Sequence, residues 1–470
     1  MVQLMSSVTS ASPSPPSALD RARKKAFYRI IPLLFISYMI AYVDRQNVAV
    51  AKLTMTKDLV GFTDAVIGFG AGIFFIGYFL LEIPGSLIVE KWGARRWISR
   101  IMVTWGIMAA LTAAVHTPVQ FYTVRFLLGL AEAGFFPGVI VYLTHWFTDR
   151  DRSKALAMFL VATPFAQMVS PKISYLLLKI GTTEVVNGQT ITHPLVLGMT
   201  GWQWVYVFWG IPAVMMGLIV FFIMKDRPRQ ASWLTDEEKE ALESELERER
   251  AVRSRGKRMK VSEALRHPKV LLMAWAYFSI VTCSYSIEFF MPSVLNDWYH
   301  MNLNTLTWLI ILPPALALVG QLVGGWSSDH FQERRLHACL PIVVGATALA
   351  CAPMTQGNLP LTVACFMIGF AGFKTYMPAF WSLPSTFLTQ AAAAGSIGLI
   401  NSFGNLGGAL GPYIMGKVKT VTGSFVGGLY FISCSMLLSA IIIYFLGLGV
   451  RKKEKEEAEE QKVLEGLPEK

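Results

Sequence analysis

The chain is a succession of apolar runs of about 20 to 25 residues, each long enough to cross the roughly 30 Å hydrocarbon layer of a bilayer as a helix. Short polar connections separate these runs. Because lipid offers no partners to backbone N–H and C=O groups, a spanning segment must satisfy its own hydrogen bonds, and a helix does so. The pattern therefore predicts an all-α membrane protein that crosses the bilayer many times.

Twelve runs of this kind can be counted, and the basic residues predict their orientation. Lys and Arg concentrate before the first run, after the second and fourth, and after the twelfth, whereas the connections near residues 117, 297 and 357 have none close by. Basic connections favour the cytoplasmic side. We therefore expect a multi-pass protein of the plasma or inner membrane with both termini in the cytoplasm. The predicted spans are 27–53, 64–89, 96–116, 118–143, 154–179, 201–224, 269–294, 304–328, 336–356, 358–386, 393–418 and 424–449.

The net charge of +11 raises the question of a nucleic-acid partner. Only 16% of the residues are charged, against about 25% in soluble domains, and the basic ones follow the orientation pattern of a membrane protein. The expected partners are therefore the lipid bilayer and a small solute, not nucleic acid. The sequence has no metal-spaced cluster of His, Cys and Asp, no GxSxG motif and no phosphate-binding loop. We accordingly expect no metal, no bound cofactor and no enzymatic activity.

One long polar connection divides the chain into two halves. Within it, Thr235 and Glu238 have the spacing of a capping box, which predicts the start of an amphipathic helix. The Ser- and Pro-rich beginning of the chain is typical of disorder. The predicted organisation is a disordered cytoplasmic tail over 1–26, a six-helix bundle over 27–224, a cytoplasmic linker over 225–268, a second six-helix bundle over 269–449 and a cytoplasmic tail over 450–470.

The two halves repeat a short charged motif. In each half, an acid is followed five and six residues later by two arginines, directly after the second span of that half. Six spans and six spans in one orientation indicate parallel repeats, the architecture of major facilitator transporters, with a substrate site near the membrane midplane between the halves. We interpret the repeated motif as a gate at the cytoplasmic rim. Its residues are Glu90, Arg95, Arg96, Asp329, Arg334 and Arg335.

Charged residues within the apolar runs are candidates for function, because an unpaired charge in lipid costs at least about 2.5–3.5 kcal/mol. At about 1.5 Å per residue, Arg45 of the first span and Arg125 of the fourth both lie about 10 to 12 Å from the outer face. Two guanidinium groups at similar depth suit an organic anion. Glu132, two turns beyond Arg125 on the same face, and Asp44 can exchange protons. Glu82, near the cytoplasmic end of its span, is interpreted as structural.

An alternative remains open for these four groups. Asp44 with Arg45, and Arg125 with Glu132, could be internal ion pairs that only fix helix packing. Hydrophobic replacements of buried pairs are often neutral or stabilising, which argues against a purely structural role.

Several segments together resemble the anion:cation symporter family of the major facilitator superfamily. They include YVDRQNVAVA, GYFLLEIPG with KWGARRWISRI, VRFLLGLAEAGFFPGVIVYLTHWF and FWSLPSTFLTQAAAAGSIGLINSFGNLGGALGPYIMG. The resemblance implies proton-coupled uptake of an organic anion, such as a sugar acid or another carboxylate, by alternating access. It implies that Asp44 and Glu132 handle protons and that Arg45 and Arg125 engage the anion. The same resemblance places further residues around the substrate, namely Tyr42, Tyr78, Gln167, Trp381 and Asn401.

Three charged residues depart from the family pattern: Lys172, Glu288 and Lys374. They could form a structural network in which Glu288 neutralises Lys374. They could instead enlarge the polar site for a more highly charged or bulkier substrate than a simple sugar acid.

Two other functions compete with uptake. An exporter of the antiporter type tends to have a Gly-rich GP motif in the fifth span, where this chain has FAQMVSPKIS; its Gly-rich segment GNLGGALGPYIMG is in the eleventh. A transporter-like sensor would bind the solute without moving it. In each case we expect the protein to function as a monomer.

Overall fold

The protein is described by a computed structural model over residues 17–186, 189–254, 266–331, 333–383 and 390–464. Within these residues, eleven helical segments are long and apolar enough to cross a membrane. The first half supplies six spans. They are Ala18–Asp58, Asp64–Trp92, Ala94–Leu111, a fourth made of Pro118–Glu132 and Phe135–Trp146, a fifth made of Asp149–Leu160 and Ala162–Leu178, and Gly201–Ile223.

The second half repeats this arrangement. Its spans are Pro268–Tyr299, Leu303–His330, Arg335–Cys351, a tenth made of Leu359–Thr375 and Met377–Ser382, an eleventh made of Gln390–Asn405 and Gly407–Thr422, and Val426–Leu464. The eleventh predicted span is therefore present as two helices of 16 residues each, interrupted at Leu406, and each piece alone is too short to cross. The last helix continues beyond residue 450, where we expected a tail to begin.

The beginning of the chain differs from the sequence-based expectation. Residues 1–16 lie outside the described part, but a helix starts at Ala18, so the prediction of disorder is wrong for residues 18–26. Ser17 caps this helix, because its side chain accepts a hydrogen bond from the backbone N–H of Asp20. The first helix is consequently 41 residues long, and its polar first turns extend beyond the apolar run.

One β-hairpin interrupts the all-α architecture. Strands Thr183–Val186 and Gln189–Thr192 pair in antiparallel fashion between the fifth and sixth spans, with Thr183 opposite Thr192. These are the only strands in the described ranges. The hairpin is a local elaboration of one connection, and the fold remains that of a helical membrane protein.

The linker helix, Asp236–Ser254, lies against the start of the first span. The predicted capping box is confirmed: the backbone N–H of Thr235 donates to the Glu238 carboxylate at 3.0 Å, and that of Glu238 to the Thr235 hydroxyl at 3.3 Å. Lys25 Nζ donates to the same carboxylate at 2.8 Å, and this contact lowers the pKa of Glu238. We call the side of the bundle that holds this helix, the start of the first span and the end of the last helix the terminal side, and the opposite one the distal side.

Small residues bring the two halves together on the distal side. The second and eleventh spans approach so closely that a Cβ atom added to Gly72 would lie 2.5 Å from the carbonyl oxygen of Ala409. Gly68 meets the backbone of Pro412 in the same way. Small residues allow membrane helices to pack backbone against backbone. The distal ends of the two halves are therefore in direct contact along these two spans.

Candidate functional site

Arg45 and Arg125 converge on one aromatic ring. The ring centroid of Phe74, on the second span, is 5.8 Å from the Arg45 guanidinium carbon and 5.0 Å from that of Arg125. Arg125 is completely buried, and the Arg45 side chain is 10% exposed. The two cations thus lie side by side within the protein, as expected from their positions along the spans, and neither faces the lipid.

Arg45 is held by Glu132. One oxygen of Glu132, Oε1, lies 2.7 Å from Arg45 Nε and 2.5 Å from Nη2. Arg45 Nη1 also donates to the hydroxyl of Tyr285 on the seventh span at 3.3 Å, and the ring of Tyr78 lies 5.1 Å from the guanidinium carbon. The first span is therefore tied to the second half through the same side chain that binds the acid.

The position of Glu132 follows from a break in the fourth span. Glu132 is the last residue of its helix, and Gly134 adopts a left-handed backbone with φ of 85°. Glycine takes up this conformation without the steric cost that a Cβ atom would add. The chain therefore turns directly after the carboxylate, and a second helix restarts at Phe135.

Arg125 has an incomplete set of partners. Its Nε donates to the carbonyl oxygen of Gly70 at 3.3 Å. Nη1 and Nη2 are both buried and have no hydrogen-bond partner among the described residues. A buried donor without a partner costs about 1–3 kcal/mol, more if it is charged. Arg125 is thus a buried cation whose two Nη atoms keep the capacity to donate hydrogen bonds.

Asp44 is directed away from its neighbour Arg45. Its Oδ1 accepts a hydrogen bond from Asn47 Nδ2 at 2.9 Å, while Oδ2 is buried without a hydrogen-bond partner in the described part of the chain. The pairing considered in the structural alternative, Asp44 with Arg45 and Arg125 with Glu132, is therefore wrong. The ion pair that forms is Arg45 with Glu132.

A second charged network is centred on Glu288 of the seventh span. Its Oε2 accepts from the Tyr42 hydroxyl and from Gln46 Nε2, both at 2.8 Å and both from the first span. Its Oε1 accepts from the Ser284 hydroxyl at 3.2 Å and lies 3.1 Å from Lys374 Nζ of the tenth span. Glu288 therefore does neutralise Lys374, and it also connects the two halves.

The remaining residues suggested by the family resemblance are distributed around these networks. Gln167 Nε2 donates to the Tyr42 hydroxyl at 3.5 Å, which adds the fifth span to the Glu288 network. Trp381 packs edge-on against Tyr277, with ring centroids 5.0 Å apart, within the second half. Asn401 Nδ2 of the eleventh span donates to Glu82 at 2.9 Å.

Lys172 belongs to neither network. Its Nζ donates to Asn304 Oδ1 at 3.0 Å and lies 4.6 Å from the Trp308 ring, so it connects the fifth and eighth spans toward the distal side. The expectation that Lys172, Glu288 and Lys374 act as one group is therefore wrong for Lys172.

Sequence reasoning underestimated or missed several polar residues. Glu82 was interpreted as a structural residue of one helix end, yet it is 4% exposed and bonds Asn401 across the two halves. Gln46 and Tyr285 were not singled out at all. Gln46 lies four residues after Tyr42, and Tyr285 three residues before Glu288, so helical spacing could have identified both.

The predicted gate residues make contacts within their own halves. The backbone N–H of Arg95 donates to Asp226 at 2.8 Å, and Arg334 donates to the Ser328 hydroxyl at 3.2 Å. The Arg335 guanidinium carbon lies 4.9 Å from the Tyr444 ring centroid. Arg96 is exposed at the start of the third span. The side chains of Glu90 and Asp329 lie outside the described part, so their predicted role as gate acids stays a prediction.

With this geometry in place, comparison with known proteins settles the family. The profile of the Major Facilitator Superfamily matches residues 34–412. The chain belongs to the Major Facilitator Superfamily. This facilitator is 38% identical to a putative tartrate transporter of Agrobacterium vitis over 91% of both chains. It is 37% identical to the putative metabolite transport protein NicT of Pseudomonas putida, over 90% of this chain and 93% of that one.

A third relative has a different printed role. The quinolone resistance transporter of Acinetobacter baumannii is 36% identical over 93% of this facilitator and 97% of its own length. Among solved structures, a bacterial homologue of the human lysosomal transporter Spinster, in an inward-facing and unoccupied conformation, superposes with a TM-score of 0.69. It is 16% identical and covers 92% of this chain and 97% of its own. The chain is therefore a multi-pass membrane transporter and not an enzyme.

Proposed function

We propose that this facilitator takes up an organic anion together with protons by alternating access. The observation that carries the proposal is the contrast between two neighbouring arginines. Arg45 is held by an internal carboxylate, whereas the Nη atoms of Arg125 are buried without a hydrogen-bond partner in the described part of the chain. A substrate carboxylate can provide hydrogen-bond acceptors for the Nη atoms of Arg125 and can replace the Glu132 carboxylate on Arg45.

In this mechanism, the anion first binds to Arg125, because both Nη atoms of that cation lack a hydrogen-bond partner among the described residues. It then competes with Glu132 for Arg45. Protonation of Glu132 removes its charge and frees Arg45 to bind the substrate. Binding of the proton therefore favours binding of the anion, and binding of the anion favours binding of the proton. Release of the proton on the other side restores the Arg45–Glu132 pair and expels the anion.

Asp44 is the second proposed proton carrier. It is 2% exposed, and one of its carboxylate oxygens has no hydrogen-bond partner among the described residues, so a proton on that oxygen would break no existing bond. Arginine keeps its proton throughout. The carriers in this part of the protein are therefore the two acids, Asp44 and Glu132.

The direction of transport and the setting are part of the proposal. We place the protein in the plasma or inner membrane as a monomer, with the terminal side in the cytoplasm, since the basic connections lie on that side. The distal contacts between the second and eleventh spans would then close the site toward the outside. If protons outnumber substrate charges, the membrane potential adds about 2.3 kcal/mol per net charge per 100 mV.

Proteoliposomes containing the purified full chain test the proposal. Radiolabelled tartrate, chosen because two relatives are putative tartrate transporters, should accumulate inside when the outside is acidified. A proton ionophore should abolish accumulation, and Arg45→Lys or Arg125→Lys should reduce it by at least tenfold, since lysine cannot form a two-pronged contact. The proposal is contradicted if the uptake of tartrate and of other carboxylates does not depend on the proton gradient.

Proton-driven export is the second candidate, favoured by the 36% identity to the quinolone resistance transporter. The same vesicles distinguish the two functions. An exporter of the antiporter type would move protons and a quinolone across the membrane in opposite directions. A symporter would move protons and tartrate in one direction.

A further inference from the structure

The Lys374–Glu288 pair has the same design as the Arg45–Glu132 pair. In each pair, a partly accessible cation binds an acid that water cannot reach: the side-chain exposure is 17% for Lys374 against 0% for Glu288, and 10% for Arg45 against 1% for Glu132. Each half of the protein contributes one pair. The proposed function uses only the pair of the first half.

Lys374 has hydrogen-bonding capacity to spare. Its ammonium group carries three donors, and Glu288 is its one ion-pair partner among the described residues. The centroids of the Tyr42 and Phe373 rings lie 5.9 and 5.5 Å from Nζ. A second anionic oxygen can therefore approach Lys374.

The two pairs are adjacent along one face of the first span. Tyr42, which bonds Glu288, and Arg45, which bonds Glu132, are three residues apart, or about 4.5 Å along the helix axis. The seventh span shows the same spacing, because Tyr285, which bonds Arg45, precedes Glu288 by three residues. The residues that anchor the two pairs are therefore less than one helical turn apart along both spans, and Lys374 Nζ lies 5.9 Å from the centroid of the Tyr42 ring.

We propose that Lys374 is a second carboxylate receptor, which makes the preferred substrate a small dicarboxylate. One end of the substrate binds Arg45 and Arg125, and the other end replaces Glu288 on Lys374. This inference rests on the proposed function and specifies the substrate class of the same site. It also explains why a carrier of this family has an extra lysine–glutamate pair.

The displaced acid keeps its other partners. When the substrate takes Lys374, Glu288 takes up a proton, and its carboxyl group still accepts hydrogen bonds from Tyr42 and Gln46. A dianion that displaces two internal carboxylates would thus be accompanied by two protons that replace the lost ion pairs, one on Glu132 and one on Glu288. These two protons balance the two charges of the substrate, and a proton on Asp44 would add one positive charge.

Binding and transport of two hydroxy acids test this inference. Tartrate has two carboxylates and glycerate has one, so only tartrate can use Lys374. In the purified full chain, Lys374→Gln should weaken tartrate binding by about tenfold or more and change glycerate binding by less than about threefold. Lys172→Gln is the matched control, because it removes the same charge from a lysine outside both networks, and it should leave both affinities unchanged.

A second variant protects the test against misfolding. Lys374→Gln leaves Glu288 buried without its cation, which can destabilise the protein. The double variant Lys374→Gln, Glu288→Gln is neutral at both positions and retains an amide oxygen for Tyr42 and Gln46. Its ratio of tartrate affinity to glycerate affinity should be about tenfold or more below that of the parent, as in the single variant.

Each outcome is informative. If the double variant handles both anions like the parent, or loses both equally, Lys374 has only a structural role and the inference is overturned. If the parent itself moves neither tartrate, glycerate nor any other carboxylate with protons, the proposed function fails instead. Selective loss of tartrate by both variants supports Lys374 as the receptor for the second carboxylate.

Discussion

The replacement Glu132→Gln isolates the proposed coupling between protons and substrate. Glutamine has the shape of glutamate and one oxygen that can still accept from Arg45, but it carries no charge and cannot release a proton. In the parent, both close contacts of Arg45 fall on a single oxygen of Glu132, at 2.7 and 2.5 Å. The substrate must displace this oxygen before it can use Arg45.

The size of the effect follows from that contact. A hydrogen bond to a charged group contributes about 1.5–3 kcal/mol, so removal of the competing charge should tighten tartrate binding by about 10- to 150-fold where Glu132 of the parent is ionised. Where Glu132 of the parent is protonated, the variant and the parent should bind alike. The affinity of Glu132→Gln should therefore depend much less on pH.

Two measurements check this prediction. Calorimetric titration of the purified protein with tartrate from acidic to alkaline pH gives the affinities. Proteoliposomes loaded with tartrate then show whether exchange persists in Glu132→Gln while proton-driven accumulation is lost. Glu240→Gln, the same change at an exposed position of the linker helix, is the control and should behave like the parent. Equal proton-driven accumulation by Glu132→Gln and the parent would refute the reasoning.

Three further outcomes are expected. Arg125→Met should abolish uptake and raise the melting temperature by a few degrees in a thermal-unfolding assay, because it removes two buried donors that lack partners; a lower melting temperature would contradict this account. Gly72→Ala should push the second and eleventh spans apart, because the added Cβ atom would lie 2.5 Å from the Ala409 carbonyl oxygen, and should increase the labelling of cysteines introduced on the distal side. Gly398→Ala is the control, since its added Cβ atom meets no atom within 4 Å, and it should not change the labelling. Lys25 lowers the pKa of Glu238, so this contact stabilises the docked linker helix above the ordinary pKa of glutamate and weakens as the pH falls through the lowered value. The hydrogen-exchange protection factors of that helix, which correct for the pH dependence of intrinsic exchange, should fall at acidic pH in the parent and change less in Glu238→Gln.

The sequence is sufficient for the spans and for the depth of the principal charges. Apolar run length fixes where helices cross, and a constant rise per residue places Arg45 and Arg125 at one level, where both meet Phe74. The interruption of the eleventh span at Leu406 was not predicted, because the span was located by hydropathy, which does not register a break in helical geometry.

The choice of partners could not be predicted from the sequence. Asp44 and Arg45 are adjacent in the chain, but successive helical residues point about 100° apart, and assembly of the bundle brings Glu132, not Asp44, to Arg45. Lys172 was considered together with Glu288 and Lys374 as part of a charge network or of an enlarged polar site, whereas packing of the fifth span against the eighth brings it to Asn304. The helix from Ala18 to residue 26 is stabilised by acids more than two hundred positions away, such as Glu238.

The distal contact between the second and eleventh spans is made by backbone atoms and glycines rather than by charged side chains. In the described part of the chain, these glycine contacts involve no charged side chain, so they do not respond directly to the charge of a bound solute. In the proposed alternating-access cycle, the seam opens or closes when the two halves tilt relative to each other. Opening of the distal side must therefore be controlled by the buried charged groups of the site, and the seam separates as a consequence.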